Sequence, residues 1–400
     1  MHLDSPTATT DSPRAAHSST ADHFALDTTG GSILHWLLPF RTNGVSSLML
    51  YLVAIAIVWL PLAIAWLITG QRFVPAGAGA LEFYEDWGYS FTFLLSFPCI
   101  FVLALTDQSA LSEALRSVQL DQTLVFRENK SAFLVARWQS RFRMVNAIGY
   151  LAGTVVGCLV AYFNYITYIP ESVGYWISYS NRLLPTGWIY LYSIWIFYAV
   201  VTIYIFRNMA VALLFRDIVS SASLQLLPMH PDKSGGLHPI GRLGLRNQYV
   251  LMLLGLNIVA VVIFTALRLK APKELYELLG AAVAAYLVIG PLIFIAPLLP
   301  FRTGMLKTKS ELMASVAKRL RVELRRIQAQ LGSAPITKED EELVDRLRKI
   351  ASVVDELPVW PFDASTLRKF LTAYVVPVAT TAAFPLLKAL FELTKGRLLW

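Results

Sequence analysis

Apolar residues along this chain gather in separated blocks of about twenty, almost uninterrupted by polar side chains. A helix crossing a bilayer core needs about 17 to 25 such residues. Six blocks reach that length, at 46–69, 89–106, 144–168, 187–206, 248–267 and 279–300. The pattern therefore predicts an all-α, polytopic integral membrane protein with six transmembrane helices spread over residues 33–300.

The flanks differ from these blocks. Residues 1–32 are rich in Ser, Thr, Ala and Asp, show no apolar period and read as a disordered arm. The arm lacks the layout of a signal peptide, because the first apolar block starts only near Ser46. The short run from Ile33 to Phe40 reads as an interfacial entry to the first span.

Residues 301–362 change period. Thr308 with Glu311 forms a capping pair, after which Met313, Val316, Leu320, Leu324, Ile327 and Leu331 recur at helical spacing until Gly332. Thr337 with Asp340 opens a second helix with the stripe Leu343, Leu347, Ile350, Val354 and Leu357. Two such stripes joined by a short breaker predict a helical hairpin with coiled-coil-like packing. In residues 363–400, Asp363 caps a last helix, and Leu371 to Leu387 is broken by Pro377 and Pro385. This segment reads as amphipathic or re-entrant rather than as a seventh span.

Composition agrees: 56% of residues are hydrophobic, 16% are charged, and the mean hydropathy is +0.53. The net charge of +8 would suggest nucleic acid in a soluble protein. Here it clusters beside the spans. The N-terminal arm and even-numbered loops carry thirteen Lys and Arg, and the odd-numbered loops carry five. The positive-inside rule then places the N-terminus and hairpin in the cytoplasm of a multi-pass plasma or bacterial inner membrane protein. The expected partner is a bilayer with anionic headgroups, not nucleic acid.

Candidate chemistry is sparse. Cys99 and Cys158 both lie in apolar blocks, which excludes a disulfide framework and a zinc cluster. No histidine falls within a predicted span, so an intramembrane bis-histidine haem is excluded, and neither cofactor nor metal is expected. The blocks hold no Asp, Glu, Lys or Arg, which disfavours a proton-coupled carrier.

Three features remain. Arg137, Arg141 and Arg143 enter the third span while Arg207 and Arg216 leave the fourth, and together they would form a cationic collar for anions or lipid headgroups. The loop HPDKSGGLHPIGRLG places His230, Asp232, Lys233 and His238 among glycines whose amides are able to curl around an anion. Gly149, Gly153 and Gly157 form a small-residue face on the third span, suited to close packing within one subunit or to a homo-oligomer seam. Pro61, Pro98, Pro291 and Pro297 bend helices or open a pore.

No catalytic residue stands out. The leading expectation is a non-enzymatic, channel-like protein, oligomeric through its hairpin. The alternatives are a membrane sensor or scaffold that docks a cytoplasmic protein through 309–357, and an interfacial enzyme acting on lipid headgroups through the 230–238 loop.

Overall fold

The apolar blocks form helices, and several of those helices run well beyond the blocks that predict them. The computed structural model describes residues 46–73, 83–126, 130–168, 176–179, 182–228, 230–268, 273–330, 337–363, 365–372, 374–377 and 379–380. The arm at 1–32, the entry run at 33–40, the Gly332–Pro335 breaker and residues 381–400 lie outside these.

The helices are α1 (Ser47–Phe73), α2 (Trp87–Leu120), α3 (Lys130–Tyr168), α4 (Pro185–Ser221), α5 (His238–Arg268), α6 (Lys273–Ile295), α7 (Leu299–Gln330) and α8 (Lys338–Asp355). The five helices α1 to α5 are long and apolar enough to cross a membrane, and α6 with α7 gives a sixth when that pair, bent by 46°, counts as one. Strands are short: β1 (Leu124–Phe126), β2 (Ser178–Tyr179), β3 (Arg182–Leu183) and β4 (Ala222–Leu224). β2 pairs with β3 in the loop before α4, whereas β1 and β4 pair antiparallel with Val125 opposite Ser223 and tie the end of α2 to the end of α4.

The extra helix length builds a second core. Beyond the blocks, α2 continues to Leu120, α3 begins at Lys130, α4 continues to Ser221 and α5 begins at His238. At about 1.5 Å per residue these extensions project roughly 15 to 20 Å past the expected apolar limits. Their inner faces enclose Leu115, Trp138, Phe142, Leu214, Phe215 and Ile240, together with Phe301 and Met305 of α7 and Leu357, Phe362 and Phe370 beyond α8. One apolar core thus crosses the boundaries expected at 300 and 362. The other core lies at the opposite end and is aromatic, with Tyr89, Phe93, Phe97, Trp176, Tyr190 and Phe197 packed together.

Membrane helices cannot rely on water to satisfy a backbone group that proline leaves unpaired, and such a group costs several kcal/mol in hydrocarbon. Proline supplies no N–H to the carbonyl four residues before it. Pro98 and Pro291 follow Leu94 and Leu287 at that spacing. The Leu94 carbonyl accepts a hydrogen bond from the Tyr51 hydroxyl of α1, and the Leu287 carbonyl accepts one from the Tyr374 hydroxyl at 2.7 Å. These prolines therefore mark points where one helix is fastened to another.

Tyr374 belongs to the segment after α8, whose residues 365–372 are helical. The carboxylate of Asp363 caps it, accepting from the Thr366 N–H at 3.0 Å and the Ser365 hydroxyl at 2.7 Å. Those donors hold the Asp363 carboxyl well below the usual range. The segment then climbs along α6: Phe370 stacks on Phe294 with centroids 4.0 Å apart, and Tyr374 stacks on Tyr286 at 5.4 Å.

Candidate functional site

Where α6 gives way to α7, the chain breaks at Ala296–Leu298 and turns. Pro297 deprives the Ile293 carbonyl of its helical donor, and the side-chain amide of Asn208 on α4 supplies one at 2.7 Å. Asn208 is itself held: its carbonyl accepts from the Asn247 amide at 2.7 Å, and Asn247 accepts from the Tyr204 hydroxyl at 2.6 Å. All three side chains are buried. A chain of amides from α4 and α5 thus fixes the break between α6 and α7.

Charged groups frame this network. Asp107 of α2 lies 3.7 Å from Arg207 of α4, and each side chain is only about 15% exposed. Arg246 of α5 donates to the Leu103 carbonyl at 2.7 Å and to the Thr106 hydroxyl, so α2 is fastened to both neighbours. Sequence reasoning missed Asp107, Asn208, Arg246 and Asn247. Each sits within two residues of the end of an apolar block, where it was absorbed into a flank, although the helices continue through those points.

The arginines expected to form one cationic collar are divided by this arrangement. Besides the Arg207 pair, Arg141 donates to Asp217 at 3.0 Å and lies over the Trp138 ring, whose own N–H also donates to Asp217. Two of the five charges are therefore neutralised within the fold. Arg137, Arg143 and Arg216 stay exposed.

The glycine-rich loop also takes a form that spacing alone did not reveal. Its amides do curl around an anion, and that anion is the carboxylate of Asp232. Oδ1 accepts from Ser234 N–H at 2.9 Å, and Oδ2 accepts from Gly236 and His238 N–H at 3.0 and 3.2 Å. His230 Nδ1 lies 2.7 Å from Oδ1. Burial opposes ionisation of Asp232, but these donors outweigh it and hold the carboxyl below its ordinary range. Asp232 is thus a staple that closes the loop onto the start of α5, and its oxygens are used by the backbone. Among the described residues no cluster of His, Cys, Asp and Glu suits a metal ion.

Two glycines make the loop's position possible. Gly236 has φ +89°, and a Cβ there would stand 2.2 Å from the Thr123 hydroxyl; at Gly241 a Cβ would stand 2.2 Å from the Pro361 carbonyl oxygen. The loop is clamped between the β1 turn and the chain beyond α8. A cavity of about 190 Å³ separates it from the hairpin base, with His230 and Lys233 on one wall and Glu356 and Leu357 on the other.

The hairpin helices α7 and α8 pack on each other along the expected faces. Leu347 and Val354 are buried, Met313, Val316, Leu320, Ile327 and Leu343 are half-buried, while Leu324 and Ile350 turn outward. Asp340 and Thr337 form a reciprocal capping box, and Arg326 of α7 reaches Asp340 at 2.6 Å. At the base, Lys309 lies 3.4 Å from Asp355. On α3, Gly149, Gly153 and Gly157 face α4: a Cβ would stand 2.8 Å from the Ala199 carbonyl oxygen at Gly153 and 2.6 Å from that of Trp195 at Gly157. That face is filled within the subunit.

Comparison of the chain with protein-family models, with curated proteins and with solved structures finds no match.

Proposed function

We propose that this chain is a six-span membrane protein, with its N-terminus and hairpin cytoplasmic, that works as a membrane-anchored docking scaffold. The observation that carries the reading is the α6–α7 unit. One helical path leaves the apolar layer and becomes the first arm of the hairpin, and Asn208 secures the bend between them. The thirteen-to-five distribution of Lys and Arg supports the orientation. Arg137, Arg143 and Arg216 then lie against anionic headgroups.

The outward face of α7 suggests the partner. Lys318, Arg319, Arg321 and Arg325 are exposed there, and Val322 and Leu324 are 57% and 43% exposed between them. An interface of this composition fits a protein surface that is acidic with apolar anchors. A photo-crosslinker at Arg321, activated in native membranes, should give one discrete adduct with another protein. That adduct should disappear when Lys318, Arg319 and Arg325 are changed to Glu. Absence of any adduct would oppose the reading.

A second reading, an oligomer with a conduction path between subunits, draws on α6. Gly280, Ala281, Ala284 and Ala285 are exposed on that helix, and a Cβ at Gly280 meets nothing within 4 Å. Small residues on an open helix face permit close approach of a second copy. An Arg321 adduct between identical chains, with ion flux in liposomes, would favour this reading. The enzyme reading loses its main support, because the Asp232 carboxylate is spent on the loop backbone.

A further inference from the structure

The cavity of about 190 Å³ between the glycine-rich loop and the hairpin base carries one sign of charge on each wall. Lys233 stands on the loop side and Glu356 on the hairpin side, both exposed at the rim. Deeper in, the lining is apolar: Val353 is half-buried and Leu357 is buried. The loop wall also includes His230, whose ring is turned by Asp232, with Nδ1 2.7 Å from Oδ1.

Both charges sit on fastened backbone. The Lys233 N–H donates to the His230 carbonyl at 3.0 Å, and the next amide, that of Ser234, donates to the Asp232 carboxylate at 2.9 Å. Lys233 has φ +53°, in the left-handed region where the same loop uses glycine at Gly235 and Gly236. A side chain retained in that conformation is a feature of ligand clamps. On the other wall the Glu356 N–H donates to the Ser352 carbonyl at 3.0 Å. Lys309 of α7 donates to the carbonyls on either side of Glu356, those of Asp355 and Leu357.

From the opposite charges on facing walls, the apolar floor between them and the volume, we infer that this cavity binds a small zwitterion whose carboxylate and ammonium lie at opposite ends of a short apolar spine. The carboxylate meets Lys233, the ammonium meets Glu356, and the spine lies over Val353 and Leu357. Complementary charges fix which way such a ligand lies, and a backbone already fastened on both walls keeps the cost of ordering the site low. Size sets a limit: a cavity of roughly 150 Å³ accepts benzene, so this one takes a ligand of about seven or eight heavy atoms. Once bound, the ligand ties the loop at the start of α5 to the end of α8. The inference concerns the base of the hairpin, not the outward face of α7, and stands or falls separately from the docking reading.

The test uses the full chain in lipid nanodiscs at low salt, with 5-aminopentanoate as the probe and pentanoate and pentylammonium as its single-charge analogues, read by calorimetric titration. Exposed ion pairs are each worth at most about fivefold in affinity and are screened by salt, so 5-aminopentanoate should bind about fivefold more tightly than either analogue. Lys233→Asn, which removes the charge but suits the left-handed backbone, should bind 5-aminopentanoate no better than pentylammonium. Glu356→Gln, at an exposed position where folding is unaffected, should bind it no better than pentanoate. Equal binding of 5-aminopentanoate and either analogue, no binding of 5-aminopentanoate, or undiminished binding by the folded Glu356→Gln variant would overturn the inference.

Discussion

Asn208 donates to the carbonyl of Ile293, the one that Pro297 leaves without a helical donor. The same arrangement recurs at Pro98, through Tyr51 and Leu94, and at Pro291, through Tyr374 and Leu287. In each case a side chain from another part of the fold replaces the missing N–H. In hydrocarbon the replacement matters because no water competes for the freed carbonyl. The carbonyls that these prolines free are thereby satisfied from outside their own helix.

The bond at the α6–α7 break gives a coupled prediction. Asn208→Leu keeps the branched outline but leaves the Ile293 carbonyl and the Asn247 side-chain N–H without their partner, and should destabilise the protein by about 1 to 3 kcal/mol. Pro297→Ala restores a backbone N–H at the right place. In an Asn208→Leu, Pro297→Ala double mutant, part of the loss should return. Strict additivity in denaturation measurements would show that the two residues do not share this carbonyl.

Glycine faces make contrasting predictions. Gly153→Leu should disrupt folding, since a side chain there meets the Ala199 backbone. Gly280→Leu should leave the subunit's stability unchanged, because that position is open. Should α6 form a subunit seam, Gly280→Leu would instead reduce the oligomer size seen by light scattering. Equal thermal stability of both variants would show that the α3–α4 contact is not close.

Asp232 links the loop to pH. Its folded-state pKa is depressed, so its contribution is fully present above the ordinary carboxylate value of about 3.9. That contribution is lost as pH falls through the lower folded value. Hydrogen exchange at Ser234, Gly236 and His238 should therefore stay slow near neutrality and accelerate only under strong acid. Asp232→Asn should exchange quickly at both, and slow exchange in this variant at neutral pH would contradict the staple.

Much of this architecture was legible in the sequence, and the reasons for the remainder are specific. The apolar blocks located the helices, and the stripes at Met313–Ile327 and Leu343–Leu357 located the hairpin arms, because both signals are periodic. Helix extensions such as Lys130–Arg143 were hidden because they mix charges with a narrow buried face, where Leu134, Trp138 and Phe142 turn inward. Asn208 and Asn247 were hidden for the same reason. His230 and Asp232 were noticed, but spacing gives no indication that a carboxylate will be consumed by its own loop. That outcome depends on the positive φ at Lys233, Gly235 and Gly236, which folds the amides back. The pairing of Arg141 with Asp217 joins residues 76 positions apart and has no local signature.

The central claim is that the outer part of the hairpin is a docking element, carried on spans that share their core with the hairpin base alone. Placing Asp at both Leu320 and Ile327 tests it most directly, because both side chains are half-buried on the inner stripe of α7, and a fully buried Leu or Ile, the upper limit for each, contributes about 1.5 to 3 kcal/mol. The measurement is the Arg321 photo-adduct in native membranes, with membrane insertion and oligomer size followed in the same samples. The account predicts that the adduct with the acidic partner disappears while insertion and oligomer size remain as in the parent protein. Persistence of the adduct in the double mutant, or collapse of the oligomer to monomer with no partner ever captured, would contradict it.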